Sequence, residues 1–539
     1  MESDWFDVSF ILRELIEVCT QTSQAYNLSR LIARQSLNQG VVGLLVINCW
    51  STPLVQSAFS HNPPLERVVC LTVNLVLAFA STVLVPLMLI VPYAFDFDFG
   101  AAVFPDELVY NEAWLVNVLM ESQHALFVRD GGDMTMKTLA HLGIIINIVC
   151  LRSILRRRQT SKPINKVVLA ASGSTGVTRS VAPADEFRAI TQLGPSLVSL
   201  VHVPIFAKLR QKRWFRRVPR RLLIIGPVTQ FTLICWGFAV LTCHTLALYS
   251  TATPPDHVRC SLSTRPWLVR SFTCAVVELN CHSLGTKGAA DILDAALRQI
   301  TSLSVFYVAF TLCPALEIPP AVSGLGNLKG IEIYNSTITK WPSKAAIRAE
   351  YHPFISVIYL VRVNMSELPK GLQHPDFPPS LMDIQMCSVN LTSLPSVVAD
   401  LWPRHLTFLY WELSGLTEIP DVIGRFQIDR LSFAGNDIKE ITPTIFSGQR
   451  LETFSVADNP SLSQLPPRVG DTSLMYQLQL DFTNISIIAR RCNVSASATP
   501  LCVNNLSSSH GVGCKLVDRG TVSMYPLEIK DKQRRQLAW

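Results

Sequence analysis

The sequence predicts two architectures in series: a multi-span α-helical membrane region, and after it an α/β solenoid with a curved parallel sheet. Three features carry that expectation. Val68–Phe95 and Leu222–Ser250 contain no charged residue, and each exceeds the roughly 20 residues needed to cross a bilayer. A strongly basic segment lies between them. From Leu303 onward a short apolar pattern recurs, as it does when stacked units share one core. A composition of 49% hydrophobic and 16% charged residues is too apolar for an ordinary soluble chain of 539 residues, and the excess sits before the repeats.

Residues 1–39 read as a polar, partly amphipathic N-terminal segment. MESDWFDVSFILRELIEV interleaves acids with apolar residues, unlike the basic start and apolar run of a cleaved signal, so the first hydrophobic span is expected to act as an uncleaved anchor. Residues 40–250 form the transmembrane region, with spans at about 40–59, 68–95, 138–155 and 222–250. The third is short, and Lys137 and Arg152 at its ends would snorkel to the two interfaces. Asn74, His141, Asn147 and His244 are the strongly polar side chains in the spans, expected to hydrogen-bond between helices or, for His141 and His244 near span ends, to sit at the membrane interface.

The loops set the orientation. Between 152 and 221 there are 16 Lys/Arg against two acids, Asp185 and Glu186, which holds that loop in the cytosol. Arg213, Arg216, Arg217, Arg220 and Arg221, just before the last span, are the expected contacts to anionic lipid. Between 96 and 137 the balance is eight acids to two bases, which suits the opposite side. Everything after Ser250 is then expected outside the cytosol, extracellular or lumenal, with the plasma membrane as the expected location. Six sequons agree, at Asn335, Asn364, Asn390, Asn484, Asn493 and Asn505.

Residues 251–302 form an N-terminal capping segment, 303–489 the solenoid, and 490–539 a C-terminal cap with a charged, frayed tail. Cysteines cluster at the two ends of the solenoid: Cys260, Cys274, Cys281 and Cys313 before it, and Cys492, Cys502 and Cys514 after it, with Cys387 alone inside. In an oxidising compartment these are disulfide candidates that staple the caps, with connectivity left open. The repeat is LxxLxLxxNxLxxLP. Units begin at Leu303, Leu328, Ile355, Leu381, Leu406, Ile428, Leu451 and Met475, spaced by 25, 27, 26, 25, 22, 23 and 24 residues. These values fit a leucine-rich repeat, in which a short strand points alternate side chains inward. Position 9, usually Asn because its side chain satisfies turn backbone, is Ser336, Val363, Val389 and Ser414 before it becomes Asn436 and Asn459.

Positions 3, 5, 7 and 8 face out from the concave sheet. They place Tyr307, Glu332, Tyr334, Tyr359, Phe408, Tyr410, Glu412 and Arg430 there, and solvent-presented aromatics on a rigid sheet are the residue type enriched at binding hot spots. The expected occupant is a protein or peptide ligand. Asn364, Asn390 and Asn484, all at position 10, would line one edge with glycans.

A multi-span first half, an outward solenoid and a cap reading ATPLCVNN, GVGCKLVDRG and MYPLEIKDKQRR together resemble the polytopic leucine-rich repeat membrane proteins of oomycetes such as Phytophthora, over the whole chain. The resemblance implies a receptor-like membrane protein. Some related architectures carry a kinase domain, of which this sequence shows no signature.

Phosphate-cradling, dinucleotide, HExxH and kinase motifs are absent from the sequence, so the expectation is a non-enzymatic protein without cofactor or metal. Its partners would be membrane lipid, a ligand on the solenoid, and a co-receptor or cytosolic signalling partner, with no nucleic acid. The alternative is a channel similar in layout to the volume-regulated anion channels, which join four spans to leucine-rich repeats but hold the repeats in the cytosol. Sidedness separates the two.

Overall fold

The computed structural model describes residues 3–100, 103–122, 131–160, 225–249, 254–255, 257–446, 450–466, 475, 477–485 and 523–537. Two compact units divide the chain: Met1–Thr22, Leu44–Thr82 and Thr135–Val240 in the first, and Ser23–Gly43, Val83–Met134 and Leu241–Trp539 in the second.

The first half is helical: α1 (Ser3–Leu31), α2 (Gln35–Ala58), α3 (Pro63–Phe79), α4 (Val85–Asp96), α5 (Asp106–Val109), α6 (Glu112–Glu121), α7 (Gly131–Thr160) and α8 (Ile225–Tyr249). A π-helical turn, Ala80–Leu84, joins α3 to α4 without a break. It precedes Pro86, whose ring withdraws one backbone donor from the ladder. Four helical stretches are long and apolar enough to cross a membrane: Gln35–Ala58, Pro63–Asp96, Gly131–Arg152 and Gly226–Tyr249. Each of the four expected spans falls on one of them.

Helix α1 was not expected to span, and its sequence reads as polar. In the first unit it runs antiparallel to α2, because Glu14 accepts from Thr52 while Asn48 donates to Gln21 at 2.9 Å and to Glu17 at 3.4 Å. Asn74 of α3 donates to Glu14 at 3.1 Å. That is one of the interhelical hydrogen bonds the polar span residues were expected to make.

The second half is the solenoid. Its parallel strands stack in chain order as β2 (Val276–Asn280), β3 (Tyr307–Thr311), β5 (Gly330–Lys340), β6 (Val357–Asn364), β7 (Asp383–Cys387), β8 (His405–Glu412), β9 (Gln427–Ser432), β10 (Thr453–Ser455) and β11 (Gln477–Gln479). The edge strand β1 (Arg259–Leu262) pairs antiparallel with β2, and the short β4 (Leu316–Glu317) pairs with β5. Units return behind the sheet through short 3₁₀ turns or helices, such as Pro320–Gly324, Lys370–Leu372 and α10 (Val398–Leu401), while α9 (Ala290–Arg298) covers the entry. Positions 1, 4 and 6 fill one continuous core, among them Leu328, Ile331 and Ile333, then Ile355, Ile358 and Leu360.

Two expectations about the start of the solenoid are corrected. The parallel run begins in the capping segment, at Val276, one strand before the first expected unit, with the antiparallel β1 at its edge. The first expected unit is also two residues out of register: Val308 pairs with Ile331 at position 4, so the unit begins at Val305, and Leu303 lies exposed outside the core. The misreading has a simple origin, since LSVFYVAF alternates apolar residues on both phases.

From the turn that opens at Val305 onward, a left-handed residue marks position 8: Leu312, Asn335, Arg362, Ser388, Leu413, Gly435, Asp458 and Phe482. This local cost recurs because the chain must swing sharply out of each strand. The position-9 ladder then catches the freed backbone. Asn436 accepts from the backbone N–H of Ser414 and Leu416 and donates to the carbonyls of Trp411 and Phe433. Ser336 and Ser414 do half of this, each accepting one N–H, from Cys313 and Val389. Val363 has no polar group, and the neighbouring Asn390 accepts from Met365 N–H at 2.6 Å.

Candidate functional site on the concave sheet

Strand register fixes which side chains rise from the concave face. Position 5 runs Glu278, Ala309, Glu332, Tyr359, Gln385, Tyr410, Ser432, Ser455 and Gln479. Tyr307 stands at position 3, next to Gly330, where a Cβ would come within 2.5 Å of its ring.

The expectation that these groups face solvent is corrected. Tyr307, Glu332, Tyr334, Tyr359, Tyr410 and Glu412 are all buried, and only Phe408 and Arg430 keep part of their surface. What covers them is the chain itself. One cover is the acidic loop that carries α5, Tyr110 and α6; the other is the C-terminal segment from Ser523 through helix α11 (Leu527–Leu537). The tail expected to fray is therefore a helix, with Lys530 and Arg534 buried.

Three sets of contacts hold these covers down. Arg534 reaches Glu112 at 2.7 Å, Glu332 at 3.0 Å and Glu278 at 3.3 Å, and Lys530 reaches Glu112 at 2.5 Å and Glu332 at 3.0 Å. Glu278 and Glu332 lie two strands apart, and the small Ala309 between them leaves the space the guanidinium occupies. Second, Asp531 accepts from Tyr334 at 2.6 Å and pairs with Arg362 at 2.5 Å. Third, Glu412 accepts from the backbone N–H of Met524 and Tyr525, both at 2.9 Å, and from the Ser432 and Ser523 hydroxyls. Between these polar clasps the rings of Tyr110, Tyr359 and Tyr525 pack edge-on or tilted at 5.1 to 6.4 Å.

Electrostatics separate the acids. Burial alone would raise Glu112, but Lys530 and Arg534 outweigh it and hold the carboxyl at about 2. Burial pushes Asp383 up to about 7, although Gln385 and Tyr359 donate to it. Glu412 is likewise raised by burial, against the hydrogen bonds that favour its charge. The strip thus presents an acidic end at β2–β5, Glu278 and Glu332, matched to two basic side chains one helical turn apart.

The position-5 and position-7 acids Glu332 and Glu412 were legible as contact residues, but their partners were not. The pairing signal was present in two forms: acids at strand positions that a cover would bury, and Lys530 and Arg534 at i and i+4 in an otherwise polar tail. Tyr110, Glu112, Glu278, Asp383, Tyr525 and Asp531 were missed.

Elsewhere, Asn335, Asn364, Asn390 and Asn484 are exposed. Disulfides join Cys260 to Cys274 and Cys281 to Cys313. Asn493, Asn505, Cys492, Cys502, Cys514 and the five arginines Arg213, Arg216, Arg217, Arg220 and Arg221 lie outside the described residues.

The stacked parallel strands, with positions 1, 4 and 6 of successive turns in one core, have the geometry of a leucine-rich repeat solenoid. Among solved structures, the leucine-rich repeat domain of a type III effector is similar at 16% identity and TM-score 0.35, covering 58% of this chain and 96% of that one. Listeria monocytogenes InlP shares 14% identity over 38% of this chain and 56% of its own, at TM-score 0.23. A leucine-rich repeat protein from Bacteroides eggerthii shares 16% identity over 34% and 41%, at TM-score 0.20. No protein-family model matches the chain, and no curated protein does.

Proposed function

We propose that this chain is a membrane-anchored recognition protein that acts by binding rather than catalysis, and that its recognition face is closed in the resting state by its own C-terminal helix. The anchor is the group of apolar helices, and the basic loop before the last span orients the solenoid away from the cytosol, as a glycosylated, receptor-like module that signals through partners. The observation that carries the reading is the double clasp of Lys530 and Arg534 on Glu112, Glu278 and Glu332. A face that holds one basic helix in this way has the chemistry to hold another: an acidic strip for cations at i and i+4, and a tyrosine-lined floor for the apolar residues that precede them.

The test uses the full chain. In an Arg534→Leu variant the helix is released, and a labelled peptide with the sequence of residues 523–537 should bind the opened face and lose that binding when Glu332→Gln is added. The unaltered protein should bind the peptide weakly. Equal binding to both proteins, or none to the opened one, would remove the concave face as the recognition surface. Orientation is read separately: glycosidase should shift the protein's mobility, and Asn→Gln at Asn364, Asn390 and Asn484 should remove shifts one at a time.

A further inference from the structure

Helix α1 wears its residues inside out. Leu12, Leu15, Ile16 and Cys19 fall at i, i+3, i+4 and i+7, the spacing of one helix face, and that face is exposed: Leu12 is 58% accessible, Leu15 37% and Ile16 41%. The ionisable residues between them turn the other way. Glu14 is 7% accessible and the Arg13 side chain 10%, with Glu14 held by Thr52 of α2 and Asn74 of α3, and Glu17 by Asn48 of α2. A helix lying on a water surface has the opposite pattern, apolar side down and charges to the solvent. Charges that face a bundle interior while leucines face outward are the arrangement expected where the surrounding medium is hydrocarbon. The same kind of surface appears on the apolar helices of that unit, where Ile47, Leu54, Val76, Phe79, Phe231 and Phe238 are exposed.

We infer that α1 is a fifth membrane-crossing helix, and that its Leu12–Cys19 face is a lipid contact. At 29 residues it is about 43 Å long, enough to cross even though its own hydropathy would not select it. It pairs antiparallel with α2 from Glu14 to Gln21, Glu14 beside Thr52 and Gln21 beside Asn48, so it crosses in the opposite direction. Five crossings are odd in number. The start of α1 therefore lies on the opposite side of the membrane from the solenoid, whichever side that is. Four crossings would put both on the same side.

Parity makes the inference separable from the orientation reading above. An epitope placed at the first residue of the full chain is compared with an epitope in the solenoid, in intact and then permeabilised cells. The inference expects one of the two to be reached before permeabilisation and the other only after it. If the solenoid proves cytosolic, the two exchange places and the inference stands while the orientation reading fails. Both epitopes on one side would overturn it. A second measurement identifies what covers the face: a nitroxide at Ile16→Cys, in reconstituted protein, should be relaxed by dissolved oxygen and shielded from a water-soluble nickel complex. Relaxation by nickel means the face is wet, and shielding from both means protein covers it, as in a second copy of this chain. Either result would overturn the lipid assignment.

Discussion

Helices α1 and α11 stand near opposite ends of the sequence, both read as polar segments, and both bury charge. They differ in what they show to the outside. Helix α11 hides Lys530 and Arg534 and exposes Glu528, Lys532, Arg535 and Gln536; α1 hides Glu14 and exposes Leu12, Leu15 and Ile16. A buried ionisable side chain on a helix says only that a partner exists. The outward face says which solvent the helix meets, and by that measure α11 meets water and α1 does not.

The largest expected effect lies on the buried side of α11. Arg534→Leu leaves Glu112 and Glu332 with Lys530, and Glu278 with Arg259 at 4.0 Å, and breaking a buried ion cluster from one side costs about 3–5 kcal/mol. It should appear as a lower melting temperature of the solenoid. Arg535→Leu, one residue on and exposed, should cost less than about 0.5 kcal/mol. Similar losses from both would erase the distinction between the two faces.

Next comes the outward side of α1. Ile16→Arg should reduce insertion by about 2.5–3.5 kcal/mol on the translocon scale, seen as lost membrane-integrated protein, whereas Lys532→Leu on α11 should be silent. An Ile16→Arg protein that inserts normally would place α1 in water. Opening the Cys281–Cys313 link by Cys→Ser, with its 32-residue separation, should destabilise the solenoid entry by roughly 3 kcal/mol.

The smallest effects are in pH, and they have opposite signs. Glu112 is held at about 2 against an ordinary 4.5, so the unfolded carboxyl takes up its proton first; the stability this gives is complete above pH 4.5 and lost as pH falls toward 2. Asp383 is raised to about 7 from 3.8, so the folded form keeps its proton longer, and stability declines as pH rises from about 4 to 7 and then levels. In thermal melts across pH, Asp383→Asn should flatten the second slope and leave the first. An unchanged second slope would mean that Asp383 is ionised in its buried site.

The sequence showed the repeats well because positions 1, 4 and 6 must be apolar to reach the shared core. It showed the four apolar helices for a similar reason, since nothing charged interrupts them. It misplaced the start of the sheet, where Cys274 opens a turn whose distance to the next, at Val305, is stretched by α9. The concave residues were found and their environment was not. Nothing local to Tyr359 or Glu332 reveals that a segment near residue 530 will lie on them. The polarity of residues 1–39 concealed α1 for the same reason: hydropathy sums a helix over all its faces, and only packing shows which face turns inward.

Hydrogen exchange on the intact protein tests the occupied concave face most directly. Backbone amides from Met524 to Arg534 should exchange slowly in the unaltered chain, together with those of Tyr110 to Met120. Both sets should be released in Arg534→Leu while the core strands β5 to β8 stay protected. Rapid exchange of the C-terminal segment in the unaltered protein would contradict the account and leave the tyrosine face open to solvent.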